Sequence, residues 1–295
     1  MSRRLTTVLV AATAAAALAF SLAGCSSASS SDKTVKIGVV GKSDPQWPAF
    51  VAAAKKDGID VQLVDFQSYD KPNPALTEKD LDLNEFQHIV YLAQYNVASG
   101  QKLVPIGSTA IYPLGLYSKK HDSVKAIPAG GSVAVPNDAS NQARALLVLQ
   151  SAGLISLKSG GTAFSDIADI DTAKSKVKVT PLEAALIPNA LPDVDAAILN
   201  NDFVTKAGLT FKDALTTDDA KDAQAQPYVN IFASRPEDKD NATYLKLVKI
   251  FQTDKAVQAG LKKSSGDTAV PVALDGADLE KVLTTVEKDA KDHRS

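Results

Sequence analysis

Short apolar runs alternate with helix-length segments along most of the chain, and that alternation decides the fold class. VKIGVV at 35–40 is nearly continuous in apolar residues. The helical stretch WPAFVAAAKKDG at 47–58 follows, with Pro48 near its start and Gly58 past its end, and then VQLVDF at 61–66. A strand, a helix and a second apolar strand in that order imply a parallel pair joined by a right-handed crossover, with both sheet faces covered. The order continues with strands at 81–86, 102–107, 112–120, 132–138, 177–182, 194–201 and 227–235, and with helices at 88–100 and from 141 onward. The last 50 residues place Leu245, Val248 and Phe251, then Leu279, Val282 and Val286, at helical spacing. The expected architecture is α/β with two sheets, the C-terminal helices folding back onto the first and a cleft between the two lobes. In parallel sheets, ligands lie beyond the carboxyl ends of the strands.

Composition narrows the chemistry. Cys25 is the only cysteine among 295 residues, so no disulfide or thiolate metal cluster can be built within one chain. Thirty-two basic against 34 acidic residues give a formal charge of −2 and no basic patterning for nucleic acid. The three histidines are dispersed at 88, 121 and 293. G-x-S-x-G, H-E-x-x-H and P-loop patterns are absent, which argues against an enzyme and against a dedicated metal site.

The N-terminus reads as an export signal: Arg3 and Arg4, an alanine-rich apolar run, and LAGC ending at Cys25. LAGC resembles the bacterial lipobox, whose cysteine is acylated and becomes the new N-terminus. Residues 1–24 are then a lipoprotein signal peptide, and 25–32 are a polar tether too poor in apolar surface to fold. The rest is expected on the extracytoplasmic face of the cell membrane, anchored through Cys25.

Two motifs carry candidate binding chemistry. In PNDASNQARALLVL, with Ser140 read as the N-cap, Asn141 and Arg144 stand three apart on one face of a helix start. A cation there opposes the helix dipole, and a bound carboxylate resolves that conflict by taking the guanidinium and free backbone N–H groups together. In NEFQHIVYL, Phe86, His88 and Tyr91 can form an aromatic wall with a polar imidazole, a surface suited to a thioether. The bland alternatives are a solvated arginine and a packed core.

The series IGVV, SYDKPNPAL, LDLNEFQHIVYL, KLVPIGSTAIYPLGLYSKK, VAVPNDASNQARALLVLQSAGLI, DVDAAILNN and PYVNIFASR, over most of 35–253, resembles the methionine-binding lipoproteins, the substrate-binding components of ABC-type methionine importers. The resemblance implies a two-lobed periplasmic-binding-protein fold of type II. Its lobe 1 is 33–111 with 232–295, and its lobe 2 is 112–231, joined by two crossing segments.

It implies that Tyr69, Phe86, His88 and Tyr91 line a methionine side-chain pocket. It also implies that Arg144 and Asn141 hold the ligand carboxylate and neighbouring polar atoms, and that Asn200 and Asn230 complete the amino-acid contacts. Implied partners are methionine or a close analogue and a membrane permease with its ATPase. The receptor is expected to be monomeric, with no cofactor and no metal. Alternatives are a methionine derivative or methionine-containing dipeptide as ligand, or a metal-binding or adhesive surface lipoprotein.

Relatives often read EAAQLPR where this chain has EAALIPN, so Leu186 and Asn189 are departures, as are Asp202 and Phe203. If Leu186 faces the cleft, ligand preference changes. The group that neutralises a ligand ammonium is left open among Asp65, Asp70, Glu85 and Asp138.

Overall fold

The computed structural model describes residues 34–293; the expected signal peptide, the expected acylation at Cys25 and the expected tether lie outside the described residues. Two five-stranded sheets carry the fold. The first has the order β2-β1-β3-β11-β4, from β1 (Val35–Val40), β2 (Val61–Phe66), β3 (Leu83–His88), β4 (Val104–Ser108) and β11 (Asn230–Ser234). The second has the order β10-β6-β9-β7-β8, from β6 (Gly115–Tyr117), β7 (Ser132–Pro136), β8 (Lys178–Leu182), β9 (Ala196–Leu199) and β10 (Thr216–Thr217). The short β5 (Ala110–Ile111) pairs with β12 (Val270–Pro271).

Within each sheet three strands run parallel. β1 lies between β2 and β3 in register Val35↔Val61 and Ile37↔Leu83, and β7 lies between β8 and β9. β11 enters the first sheet antiparallel between β3 and β4, with Asn230 opposite His88. Its first residue therefore stands at the same sheet end as the last residues of β1 and β3.

Helices cover both faces, as near-continuous apolar strands require. On one face of the first sheet, α1 (Gln46–Lys56), α7 (Ala242–Thr253) and α8 (Lys255–Ser264) bury Trp47, Phe50, Leu247, Phe251 and Leu261 with Val39 and Phe232. Phe50 meets Trp47, Phe232 and Phe251 at ring-centroid distances of 5.8 to 6.0 Å. On the other face, α3 (Ile89–Ser99) and α9 (Gly276–Asp292) pack Ile89, Leu92, Leu279 and Leu283 against Ile231. The second sheet is covered by α4 (Ala139–Ser151) on one side, and by α5 (Ile187–Ala190) and α6 (Asn201–Val204) on the other.

The helix α2 (Pro72–Thr77) is held under the first sheet by a buried amide cluster. Asn84 Nδ2 and Gln87 Nε2 donate to Asn73 Oδ1, and Asn73 Nδ2 donates to Gln87 Oε1. That network fixes the loop before α2, which carries Tyr69, to β3, which carries Phe86 and His88.

Four details differ from the sequence reading. The cap of α4 is Asp138, whose carboxylate accepts from Asn141 N, while Ser140 Oγ donates to the same carboxylate from inside the first turn. The strand expected over 112–120 is shortened to β6: Pro113 has no N–H for a ladder, and β5 ends before it at Ile111. His88 ends β3 and caps α3 instead of lying within the helix. Leu245, expected on the apolar stripe of α7, is 40% exposed, and Tyr244 and Leu247 take the buried face.

Candidate functional site

The strand ends of the two sheets bring Tyr69, Phe86, His88, Tyr91, Asn141, Arg144, Asn200 and Asn230 to the wall of one cavity, joined by Gln87, Tyr112 and Asn201. It encloses about 390 Å³ between its side chains, part of it open to solvent. Sequence reasoning did not single out Gln87 or Tyr112. The first hides in the core-like alternation of β3, and the second sits in a segment read as regular strand.

One wall is aromatic. Phe86 meets Tyr91 edge-on at 5.6 Å and Tyr69 at 5.9 Å, and Tyr69 meets Phe203 at 5.2 Å between ring centroids. Tyr91 Oη donates to the carbonyl of Tyr69 at 2.9 Å, and Tyr69 Oη donates to Asp202 Oδ2 at 2.7 Å. The Tyr69–Asp202 bond joins a loop of the first sheet to α6 of the second.

Beside the aromatic wall runs a polar relay built on His88. Its Nδ1 accepts from Tyr91 N at 3.2 Å, as the cap of α3. The neutral ring therefore carries its proton on Nε2, which donates to Asn141 Oδ1 at 3.3 Å. Burial, reinforced by the positive charge of Arg144, pushes the imidazole pKa down to about 3, so the neutral form persists at physiological pH. Asn141 Oδ1 also accepts from Asn200 Nδ2 at 2.9 Å, while Asn141 Nδ2 donates to Asp138. Every polar atom of the Asn141 side chain is thereby oriented. Asn200, 7% exposed, keeps a buried Oδ1 with no donor.

Arg144 is 5% exposed and already paired. Its Nε donates to Asp218 Oδ2 at 2.6 Å, Nη2 donates to the Tyr112 carbonyl at 2.8 Å, and the guanidinium lies 4.5 Å from the centre of the Tyr228 ring. A guanidinium has five N–H donors, so three remain after these two bonds. Asp218 lies 74 residues from Arg144, and no local spacing announced it. The backbone N–H of Asn141, expected to be free for a ligand, is taken by Asp138.

Leu186 is 52% exposed and off the cavity wall, although Ala184 and Ala185 of the same 3-10 turn pack in one cluster with Phe86, Tyr69 and Tyr91. The condition for a change in ligand preference, that Leu186 face the cavity, is not met. Among the four acidic groups considered for a ligand ammonium, Asp70 pairs with Lys71 at the surface and Asp65 accepts from Gly41 N and Lys42 N. Asp138 is committed to α4, and Glu85 borders the space next to the cavity.

The family model of the NlpA lipoproteins matches residues 35–273. A protein named as a probable D-methionine-binding lipoprotein MetQ from Pasteurella multocida is 40% identical over 237 residues, covering 79% of this chain and 84% of that one. The crystal structure of protein PG110 from Staphylococcus aureus superposes with a TM-score of 0.81 at 38% identity, covering 86% of this chain and all of that one. A nutrient binding protein from Burkholderia cenocepacia, solved bound to methionine, superposes with a TM-score of 0.74 at 39% identity, covering 81% of this chain and 99% of that one.

Proposed function

Because this chain belongs to the NlpA lipoprotein family, we propose that it is a lipid-anchored extracytoplasmic receptor that binds methionine in this cavity and hands it to an ATP-driven importer. The observation that carries the reading is the joining of two chemistries in one cavity. A thioether-sized aromatic wall of Tyr69, Phe86 and Tyr91 faces a guanidinium with three unused N–H donors and an amide relay from His88. Sulfur against ring edges contributes about 0.3 to 1.5 kcal/mol, and a carboxylate on the remaining Arg144 donors forms charge-assisted bonds. Asn230 and the Asn200–Asn201 pair complete the polar wall.

Capture works by closure of two lobes, expected at 33–111 with 232–295 and at 112–231; β11 already belongs to the first sheet from Asn230, so the return crossing falls before Asn230. Tyr69, Phe86, His88 and Tyr91 come from the first and Asn141, Arg144 and Asn200 from the second, so a solute completes its contacts only when the lobes meet. The closed form is then favoured by the difference in binding energy between the two states. In this reading the residues of the cavity bind and orient the solute.

A thermal-shift panel on ligand-stripped protein beginning at Ser26 tests this, with L-methionine, D-methionine, methionine sulfoxide, glycyl-L-methionine, glutamine and histidine. A solute at one hundred times its dissociation constant adds about 2.7 kcal/mol of stability. Selective stabilisation by methionine-type solutes is expected; equal shifts with glutamine, or none with any methionine-type solute, overturn the reading.

A further inference from the structure

Across Phe86, Tyr112, Asn201 and Asn230, which line both spaces, the cavity adjoins a second chamber enclosing about 550 Å³, part of it open to solvent. The two differ sharply in charge. No carboxylate lines the first, whereas Asp44, Glu85 and Asp202 line the second. Glu85 Oε1 accepts from Thr109, and Asp202 accepts from Tyr69 and Asn201.

Among the described residues none of the three makes an ion pair within 4.0 Å; the cation acting on Asp44 and Asp202 is Lys206, which lies 4.9 Å over the Phe203 ring. Burial raises Asp44 to about 6, Asp202 to about 7 and Glu85 to about 8. Asp65, Lys206 and the hydroxyls of Tyr69 and Tyr112 are the other titratable groups acting on this cluster.

An independent feature asks for a donor at the same place. Gln46, 6% exposed, lines the chamber with a buried Oε1 that has no hydrogen-bond partner. Asn200 Oδ1 is in the same condition on the cavity side. Trp47 Nε1 is a buried side-chain donor on the chamber wall without a partner. Among the described residues no three carboxylate or imidazole groups are close enough to ligate one metal ion. A group that donates several hydrogen bonds over longer distances suits these acceptors better.

We propose that the acidic chamber receives the ammonium group of the bound solute, with Asp202 and Glu85 as its counter-charge, while the solute carboxylate lies on Arg144. The inference rests on the amino-acid receptor reading above and names the specificity element that reading lacks. Its walls come from both sheets, Asp44, Gln46 and Glu85 from the first and Asp202 from the second, so the ammonium also bridges the closing halves. The chemistry is a primary ammonium, carried either on the α-carbon of an amino acid or one residue farther on a dipeptide.

Calorimetric titration of three solutes separates these sources: L-methionine, 4-(methylthio)butanoate, which lacks the ammonium, and glycyl-L-methionine, which displaces it. The wild-type protein is expected to bind at least one ammonium solute at least about tenfold tighter than the deamino acid. Glu85→Gln and Asp202→Asn should each shrink that ratio without weakening the deamino acid.

A ratio that falls for L-methionine assigns the chamber to the α-ammonium; one that falls for glycyl-L-methionine alone assigns it to the displaced group. Titrations in buffers of different ionisation enthalpy give a readout that needs no variant: ammonium solutes should release protons near pH 7 and the deamino acid should not. Unchanged ratios in folded variants, or equal proton release for all three solutes, overturn the inference alone. Failure of the wild-type protein to bind any of the three overturns the receptor reading as well.

Discussion

Arg144→Ala separates a ligand-gripping arginine from one that only holds the fold. The side chain is buried, its Nε bonds Asp218 at 2.6 Å, and its plane covers Tyr228. Breaking a fully buried ion pair costs roughly 3 to 5 kcal/mol. Asp218 is 26% exposed and keeps the Leu114 N–H at 2.7 Å, so the smaller end applies and is reduced further, to about 2 kcal/mol. Loss of the contact with Tyr228 adds about 1 kcal/mol.

A total near 3 kcal/mol leaves a domain of ordinary stability folded. Two charge-assisted bonds to a ligand carboxylate are worth about 3 kcal/mol or more, a loss of affinity of about a hundredfold or greater. Denaturant unfolding and calorimetry with L-methionine measure the two effects on the same sample. Asp218→Asn is the control: it weakens the same pair from the other side and should lose stability while retaining most of the binding. Near-native affinity in Arg144→Ala would refute the carboxylate role. Equal losses of affinity in the two variants would reduce Arg144 to a positioning residue.

His88→Ala should lose about 1 kcal/mol through the α3 cap and weaken ligand binding through release of Asn141, whereas His88→Asn should recover the cap and not the affinity; unfolding and titration of both variants check it. The folded protein holds protons on Asp44, Asp202 and Glu85 to about pH 6, 7 and 8, while their unfolded forms ionise near 4, so these groups make ligand-free stability fall as pH rises from about 4 to 8. Glu85→Gln should flatten that slope above pH 6 in denaturant unfolding, and an unchanged slope would contradict the assignment.

His88, depressed to about 3, acts oppositely: its contribution is lost as pH falls below about 6.5, where the unfolded imidazole takes a proton. Leu186→Gln should leave the affinity for L-methionine within about twofold, since the side chain is exposed away from the wall. Gly260→Ala places a methyl 2.5 Å from Gln46 N, where backbone cannot yield, and should destabilise by about 2 kcal/mol or more in thermal unfolding.

What could be read before the fold was known followed from local physics. The apolar runs of β1, β2 and β7 declared buried parallel strands, and the strand-end rule gathered Tyr69, His88, Asn141 and Asn200 because position along a strand fixes which end of the sheet a loop leaves from. Local rules failed where two neighbours compete for one role. Asp138 and Ser140 are both good caps, and the carboxylate won by taking the Asn141 N–H and the Ser140 hydroxyl together.

They failed again where the partner is distant in sequence. Asp218 reaches Arg144 through the packing of the segment before β11, and the acidic chamber assembles from α1, β3 and α6. Leu186 shows the converse: a departure from relatives drew attention, yet in a turn whose Ala184 and Ala185 pack on the aromatic wall it is the exposed residue.

The central claim is that the cavity between the two sheets holds a methionine-type solute with its sulfur on the aromatic wall and its carboxylate on Arg144. Crystals of ligand-stripped protein grown with seleno-L-methionine test it most directly, because selenium scatters anomalously and marks the side-chain end of the ligand. One selenium peak is expected in contact with the rings of Tyr69, Phe86 and Tyr91, with ligand carboxylate density within hydrogen-bond distance of the Arg144 guanidinium. A selenium peak elsewhere, or a clear map of the cavity with no selenium in it, would contradict the account.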